Sequence, residues 1–205
     1  MKAFIQVVLV GAALFSTAAF SEDQPKPQYA SKPEYHALYL ELEKAEVIVE
    51  GAKDAKSVLY VFFDPNCLYC HLTWKALQPY EKVGLQVRWV PVAYQKPSSV
   101  GRAAAIMQAS DRTAALRENE VKYDEAHFDG GIKPVDKPQA PLTVQLQANT
   151  QLMQKFGVPA TPVLVWKDNN GNVQLKPGVP RLSQIPGITG LPEQKVDDPE
   201  LADFR

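Results

Sequence analysis

The sequence predicts an α/β fold built on a central mixed sheet with a helical insertion. Three observations predict it. The run VLYVFFD (58–64) is apolar, β-rich and nearly unbroken, as in a strand buried on both faces. A helical stretch and a second strand follow at once, an order that lays two strands parallel. Much later, a strand meets the turn signal Asn169-Asn170-Gly171-Asn172 and returns, which adds an antiparallel hairpin.

Composition sets the class. The chain has 205 residues, 45% hydrophobic and 22% charged, with a formal net charge of −1. That is a globular composition; it excludes a wholly disordered chain, a multi-span membrane protein and a coiled coil. The even charge balance argues against a nucleic-acid partner, because phosphate binding needs a basic surface.

The organisation is read as four segments. Residues 1–21 form a secretory signal peptide: Met1-Lys2, then the apolar FIQVVLVGAALF, then small residues. Its apolar run to Phe20 is about 17 residues, short of the ~20 of a bilayer span. No cysteine lies there for lipidation. Residues 22–36 are a polar, Pro-rich tether. Residues 37–190 form the α/β domain, with the helical insertion at about 98–142. Residues 191–205 read as a flexible tail. An exported chain meets an oxidising compartment, where thiol pairs have redox work to do.

The elements follow in order. YHALYLELEKA (35–45) predicts a short helix. VIVEG (47–51) is a β-branched strand ended by glycine. VLYVFFD is broken by Pro65-Asn66, and CLYCHLTWKALQPY (67–80) is helical, kinked or ended by Pro79. LQVRWVPV (85–92) is the next strand. Ala-rich residues 98–125 predict two helices split near Ser110-Asp111, with Asp111 as an N-cap. Residues 129–141 are a loop. Thr143 to Phe156 is a helix closed by Gly157. VPATPVLVWKD (158–168) and VQLKPG are the hairpin strands. This order is that of a thioredoxin-like sheet.

Cys67 and Cys70 are the only cysteines. A disulfide between them closes a tiny loop and removes little chain entropy, so chemistry explains the pair better than stapling. Cys67 falls at a helix start, where free N–H groups and the dipole favour a thiolate. Cys70 lies one turn on. Cys67 can attack a substrate disulfide and Cys70 can resolve the mixed disulfide. Other uses of the motif stay open here. Zinc needs about four ligands, and only His36, His71 and His127 could add nitrogen donors. Cys67-Leu68-Tyr69-Cys70-His71 is also a CxxCH haem-attachment pattern, with Met107 or Met153 as a distal ligand. Two inert buried thiols are the third alternative.

Ala160-Thr161-Pro162 precedes the last apolar strand. In a thioredoxin-like sheet a cis proline here faces the CxxC and leaves a backbone edge free for substrate. Thr161, Pro162 and Tyr69 are therefore expected to bind substrate.

Residues 43–80 and 157–174 together resemble the DsbC/DsbG family of periplasmic thiol-disulfide proteins, the DsbG branch above all. The resemblance covers roughly residues 37–180. It implies Cys67 as nucleophile, Cys70 as resolving cysteine, a redox disulfide between them and a cis Pro162 after Thr161. It implies disulfide isomerisation, or reduction of oxidised cysteines, on other exported proteins, with no cofactor, no metal and a separate redox partner that recharges the pair. Two departures stand out. Only about 35 residues separate the signal from the catalytic strand, too few for the family's N-terminal dimerisation domain, so a monomer is expected. SQIPGITG (183–190) breaks the C-terminal helix with Pro186, Gly187 and Gly190.

The remaining residues read as structural. Val61 stands where thioredoxins place a buried acid. Asp64 serves the turn. His71, one turn into the helix, reads as a solvated surface residue, and Lys75, Lys82, Glu118 and Glu120 as solvated charges. Trp74, Trp89 and Trp166 read as core or groove aromatics.

Overall fold

The structure is a computed structural model and describes residues 29–205. The expected signal peptide and the first part of the expected tether lie outside the described residues.

Five strands form one sheet in the order β1-β3-β2-β4-β5. They are β1 (Ile48–Gly51), β2 (Ser57–Phe63), β3 (Leu85–Pro91), β4 (Val163–Lys167) and β5 (Val173–Pro177). β2 and β3 are parallel, joined by α2 (Leu68–Glu81). The other pairings are antiparallel. The alternation of side chains along a strand divides the core. Leu59, Val61 and Phe63 of β2 face α2 and pack with Trp89 and Leu77. Tyr60 and Phe62 face α1 (Tyr35–Leu42) and α5 (Ala140–Lys155), with Tyr39, Leu152 and Phe156. Both faces are covered, which is why β2 reads as an unbroken apolar run.

Between β3 and α5 lie α3 (Ser99–Gln108) and α4 (Arg112–Val121). Asp111 caps α4 by accepting from the Ala114 N–H at 2.9 Å. α5 starts three residues before the expected Thr143, with Pro141 in its first turn, where a missing N–H costs nothing. Gly157 closes it at φ +81°. Pro79 lies within α2 and does not end it; the helix runs to Glu81. The broken C-terminal segment is a 3₁₀ turn (Leu182–Gln184) followed by α6 (Ile185–Thr189).

Two expectations need correction. Residues 191–205 do not form a flexible tail. A 3₁₀ turn at Pro199–Phe204 returns along α2 and places Leu201 fully in the core. Lys75 of α2 holds Asp198 at 2.9 Å and Glu200 at 2.6 Å. The segment has too few apolar residues to show a period, yet Leu191 and Leu201 each find the core. The end of the tether is also fixed: Tyr29 packs edge-on against Trp166 at 4.8 Å, and Ala30 pairs with Leu175 beside β5.

A candidate dithiol site at the start of α2

β2 ends at Phe63, and Asp64 to Cys67 carry the chain to α2. Cys67 is the N-cap residue (φ −82°, ψ 113°), and its carbonyl accepts from the N–H groups of Cys70 and His71. One helical turn therefore brings the two thiols together. Exposure does not separate the two thiols, since each is only 2% exposed. What distinguishes them is chemical. A hydrogen bond from the Cys70 thiol is the largest influence pulling the Cys67 pKa down to about 7; burial opposes it, and Thr161, the Cys70 backbone and Gln95 assist. Burial, then the neighbouring Cys67, pushes Cys70 well above its ordinary value. The helix start lets several donors converge on one sulfur.

Iodoacetamide labelling of the reduced protein is accordingly expected at Cys67, with a rate that falls as pH drops below about 7. Peptide mapping that finds Cys70 labelled first reverses the assignment of roles.

The Thr161–Pro162 bond is cis, and the Thr161 carbonyl lies 3.5 Å from Cys67 Sγ. The fold thus joins residues 94 positions apart, with the cis proline facing the CxxC as expected of its place before the strand. Tyr69, between the cysteines, is 56% exposed at the mouth of the site. Two neighbours escaped the sequence reading. Tyr94 and Gln95, in the loop after β3, both bond Thr161: the Tyr94 hydroxyl accepts from its N–H at 2.9 Å, and Gln95 Nε2 donates to its hydroxyl at 3.0 Å. No periodic signal marks such a loop.

The loop bearing Cys67 is held from below. Asp64 is 1% exposed and accepts from the N–H groups of Asn66, Tyr94 and Gln95 and from the Ser99 hydroxyl. It does serve the turn. Asn66 Nδ2 donates to Ser98 and Ser99, its Oδ1 accepts from the Gly130 N–H, and its carbonyl accepts from the Tyr123 hydroxyl at 2.8 Å. Asn119 Nδ2 donates to the Pro65 carbonyl at 3.0 Å. Gly130 runs so close to Asn119 and Pro65 that any Cβ there collides with both. The helices and loop between β3 and α5 thus clamp the Cys67 turn, which explains why polar side chains sit there buried and paired.

His71 and Glu120 correct the reading of solvated residues. His71 is 5% exposed, stacked on Tyr123 at 4.6 Å, with Nδ1 3.0 Å from Glu120, itself 3% exposed. An imidazole buried between a ring and a carboxylate looks, in sequence, like any helix-surface histidine. Lys75 is likewise held by Asp198 and Glu200. Trp74 and Trp89 both donate to the buried Glu50.

Neither cysteine shares a ligand cluster with the histidines. Among the described residues, the grouping with metal-like spacing is His71, Glu125 and Glu200, where the Lys75 ammonium already lies against Glu200. Met153 packs in the core on the opposite face of the sheet from the cysteines. The haem or metal carrier is not favoured.

A family model described as a thioredoxin-like domain matches residues 43–185. The chain is 30% identical over 168 residues to the thiol:disulfide interchange protein DsbG of Pseudomonas aeruginosa, covering 82% of this chain and 64% of that one. It is 32% identical over 133 residues to the thiol:disulfide interchange protein DsbC of Dickeya dadantii, covering 63% and 50%. The chain spans less than two thirds of the length of these curated relatives. A solved structure of Proteus mirabilis ScsC, in a transitional conformation, aligns at 27% identity with a TM-score of 0.56, over 76% of this chain and 74% of that one.

Proposed function

Because the chain belongs to the thioredoxin-like domain family, we propose that it is an exported thiol-disulfide oxidoreductase of DsbG type, a reductase or isomerase acting on cysteines of other periplasmic proteins. The observation that carries this is the placement of Cys67 at the cap of α2, beside Cys70 and 3.5 Å from the Thr161 carbonyl. Cys67 and Cys70 are assigned the catalysis, and Thr161, Pro162 and Tyr69 the substrate contacts.

The chemistry follows from the two thiols. The Cys67 thiolate attacks one sulfur of a substrate disulfide; that S–S bond breaks, and the other substrate sulfur leaves as a thiolate and takes a proton. Cys67 is then bonded to substrate and carries no charge. This removes the negative neighbour that helps hold the Cys70 pKa up, so Cys70 loses its proton more readily at the moment it is needed. Its thiolate attacks Cys67 Sγ, substrate leaves reduced, and the Cys67–Cys70 disulfide remains. A redox partner supplying two electrons and two protons restores the dithiol. No buried acid stands at position 61, and Asp64 is saturated with donors.

For export, the support is the apolar stretch of residues 4–15. Among the described residues no helix is long and apolar enough to cross a membrane. For assembly we propose a monomer. α1 buries Tyr35, Tyr39 and Leu42 on this chain's own sheet, so this segment is not spare for a dimer strand.

Turnover of insulin disulfides by the purified protein, with a small thiol recharging it, tests the reading. Catalysis by a colourless preparation is expected. A haem absorption band without disulfide turnover overturns the reading in favour of a carrier. Light scattering is expected to give the mass of one chain.

A further inference from the structure

In the reading above, Thr161 offers the backbone edge to which an extended substrate pairs. Every polar group of Thr161 is already engaged inside the protein. Its carbonyl faces Cys67 Sγ at 3.5 Å, and its N–H donates to the Tyr94 hydroxyl at 2.9 Å. Its own hydroxyl accepts from Gln95 Nε2 at 3.0 Å and from the Tyr94 hydroxyl at 3.3 Å. Thr161 is 7% exposed, so a donor there has to be satisfied.

The two backbone groups are released in different ways. Chemistry itself frees the carbonyl: once Cys67 ionises, and afterwards in the mixed disulfide, it has no S–H to donate. Nothing in the reaction frees the N–H. That requires Tyr94 to leave.

Tyr94 is built to do so. Its backbone is anchored, because its N–H and that of Gln95 both donate to Asp64 Oδ2, at 2.8 and 3.0 Å. Its side chain is not enclosed; the residue is 43% exposed. The ring borders a groove of about 330 Å³ lined by Val100, Leu146 and Thr150, between this loop and α5. A side-chain rotation about a fixed backbone carries the phenol off Thr161 and toward that groove.

We propose that Tyr94 is a backbone-mimicking cap on the Thr161 edge. Its hydroxyl holds the N–H while the site is empty and yields it to a carbonyl of an extended polypeptide. This rests on the oxidoreductase reading, and it makes Tyr94 a specificity-determining residue. A polypeptide brings a carbonyl that replaces the phenol. A small disulfide without a peptide backbone brings none.

The test is an NMR titration of the ¹⁵N-labelled protein with a ten-residue extended peptide carrying serine in place of its cysteine. Tyr94→Phe keeps the ring and deletes the competing oxygen. It is expected to bind the peptide about 3- to 10-fold more tightly than the wild type, the value of one hydrogen bond no longer surrendered. The Thr161 amide proton should exchange faster in the free variant than in the free wild type, and be equally protected in the two complexes. Gln95→Ala leaves the N–H covered and should not tighten binding. Equal or weaker binding by Tyr94→Phe, tighter binding by Gln95→Ala, or an unaltered Thr161 amide in free Tyr94→Phe overturns the cap. Turnover of a disulfide-linked peptide by the wild type is followed separately. Its absence defeats the oxidoreductase reading while the binding result still decides the cap.

Discussion

Cys67→Ser is expected to abolish disulfide exchange, whereas Cys70→Ser is expected to complete the first exchange and stop there. The asymmetry follows from the two thiols' surroundings. Cys67 ionises near neutral pH because donors converge on it. Cys70 stays protonated, buried behind it. Removing Cys67 leaves only Cys70, where burial, the largest influence on its pKa, still disfavours the thiolate, and a serine hydroxyl is no substitute. Removing Cys70 deletes the attack that releases substrate, so a mixed disulfide accumulates toward one per chain. The serine hydroxyl keeps a donor beside Cys67 where the Cys70 thiol stood, so adduct formation by Cys70→Ser should still follow the ionisation of Cys67 near pH 7. Intact-mass spectrometry under non-reducing conditions reads both results. Adduct formation by Cys67→Ser through Cys70, or full turnover by Cys70→Ser, contradicts the assignment.

The second large effect is on stability, away from the thiols. Glu50 of β1 is 1% exposed and accepts from the indoles of Trp74 and Trp89, at 3.0 and 3.1 Å, and from Arg117 at 2.7 Å. It ties β1, α2, β3 and α4 together. Glu50→Ala leaves two indole N–H groups without an acceptor and opens a cavity. Because the Arg117 side chain is half exposed, its share is screened, and the expected loss is about 2–4 kcal/mol. Urea unfolding followed by tryptophan fluorescence measures it; a loss near zero means the indoles find other partners.

The same cluster sets a pH dependence. Burial, then the neighbouring Glu50, raises Glu81 from its usual 4.5 to about 8. The folded state therefore holds a proton that the unfolded chain releases. A raised folded pKa contributes stability that is complete below about 4.5 and is lost as pH rises through about 8. Glu81→Gln is expected to flatten the stability profile across that window. A profile as steep as that of the wild type assigns the slope to other groups.

Some of this was legible in the chain and some was not. The unbroken run of β2, the hairpin turn at 169–172 and the Asp111 cap are local signals: each depends on neighbours within a few residues, and each appears where the sequence places it. The cysteine pair was equally legible, since two thiols one turn apart at a helix start meet whatever the rest of the chain does. The cis Thr161–Pro162 bond needed the fold to be recognised first, because an X-Pro pair alone is usually trans.

Contacts across long separations left no local trace. Tyr94 and Gln95 are ordinary loop residues until the sheet brings Thr161 to them, 67 and 66 positions away. His71 and Glu120 look solvated until α4 and Tyr123 close over α2, and Glu50 looks like a strand-end charge until three donors surround it. The C-terminal segment has no amphipathic period, yet two leucines and two carboxylates dock it. The sequence by itself determined the sheet, its parallel crossover and the juxtaposition of the two cysteines, because these follow from periodicity, turn chemistry and proximity along the chain. The tertiary structure alone decided which charges are buried, what holds the Cys67 turn and what covers the Thr161 edge, because burial and hydrogen-bond partnership are properties of segments meeting in space.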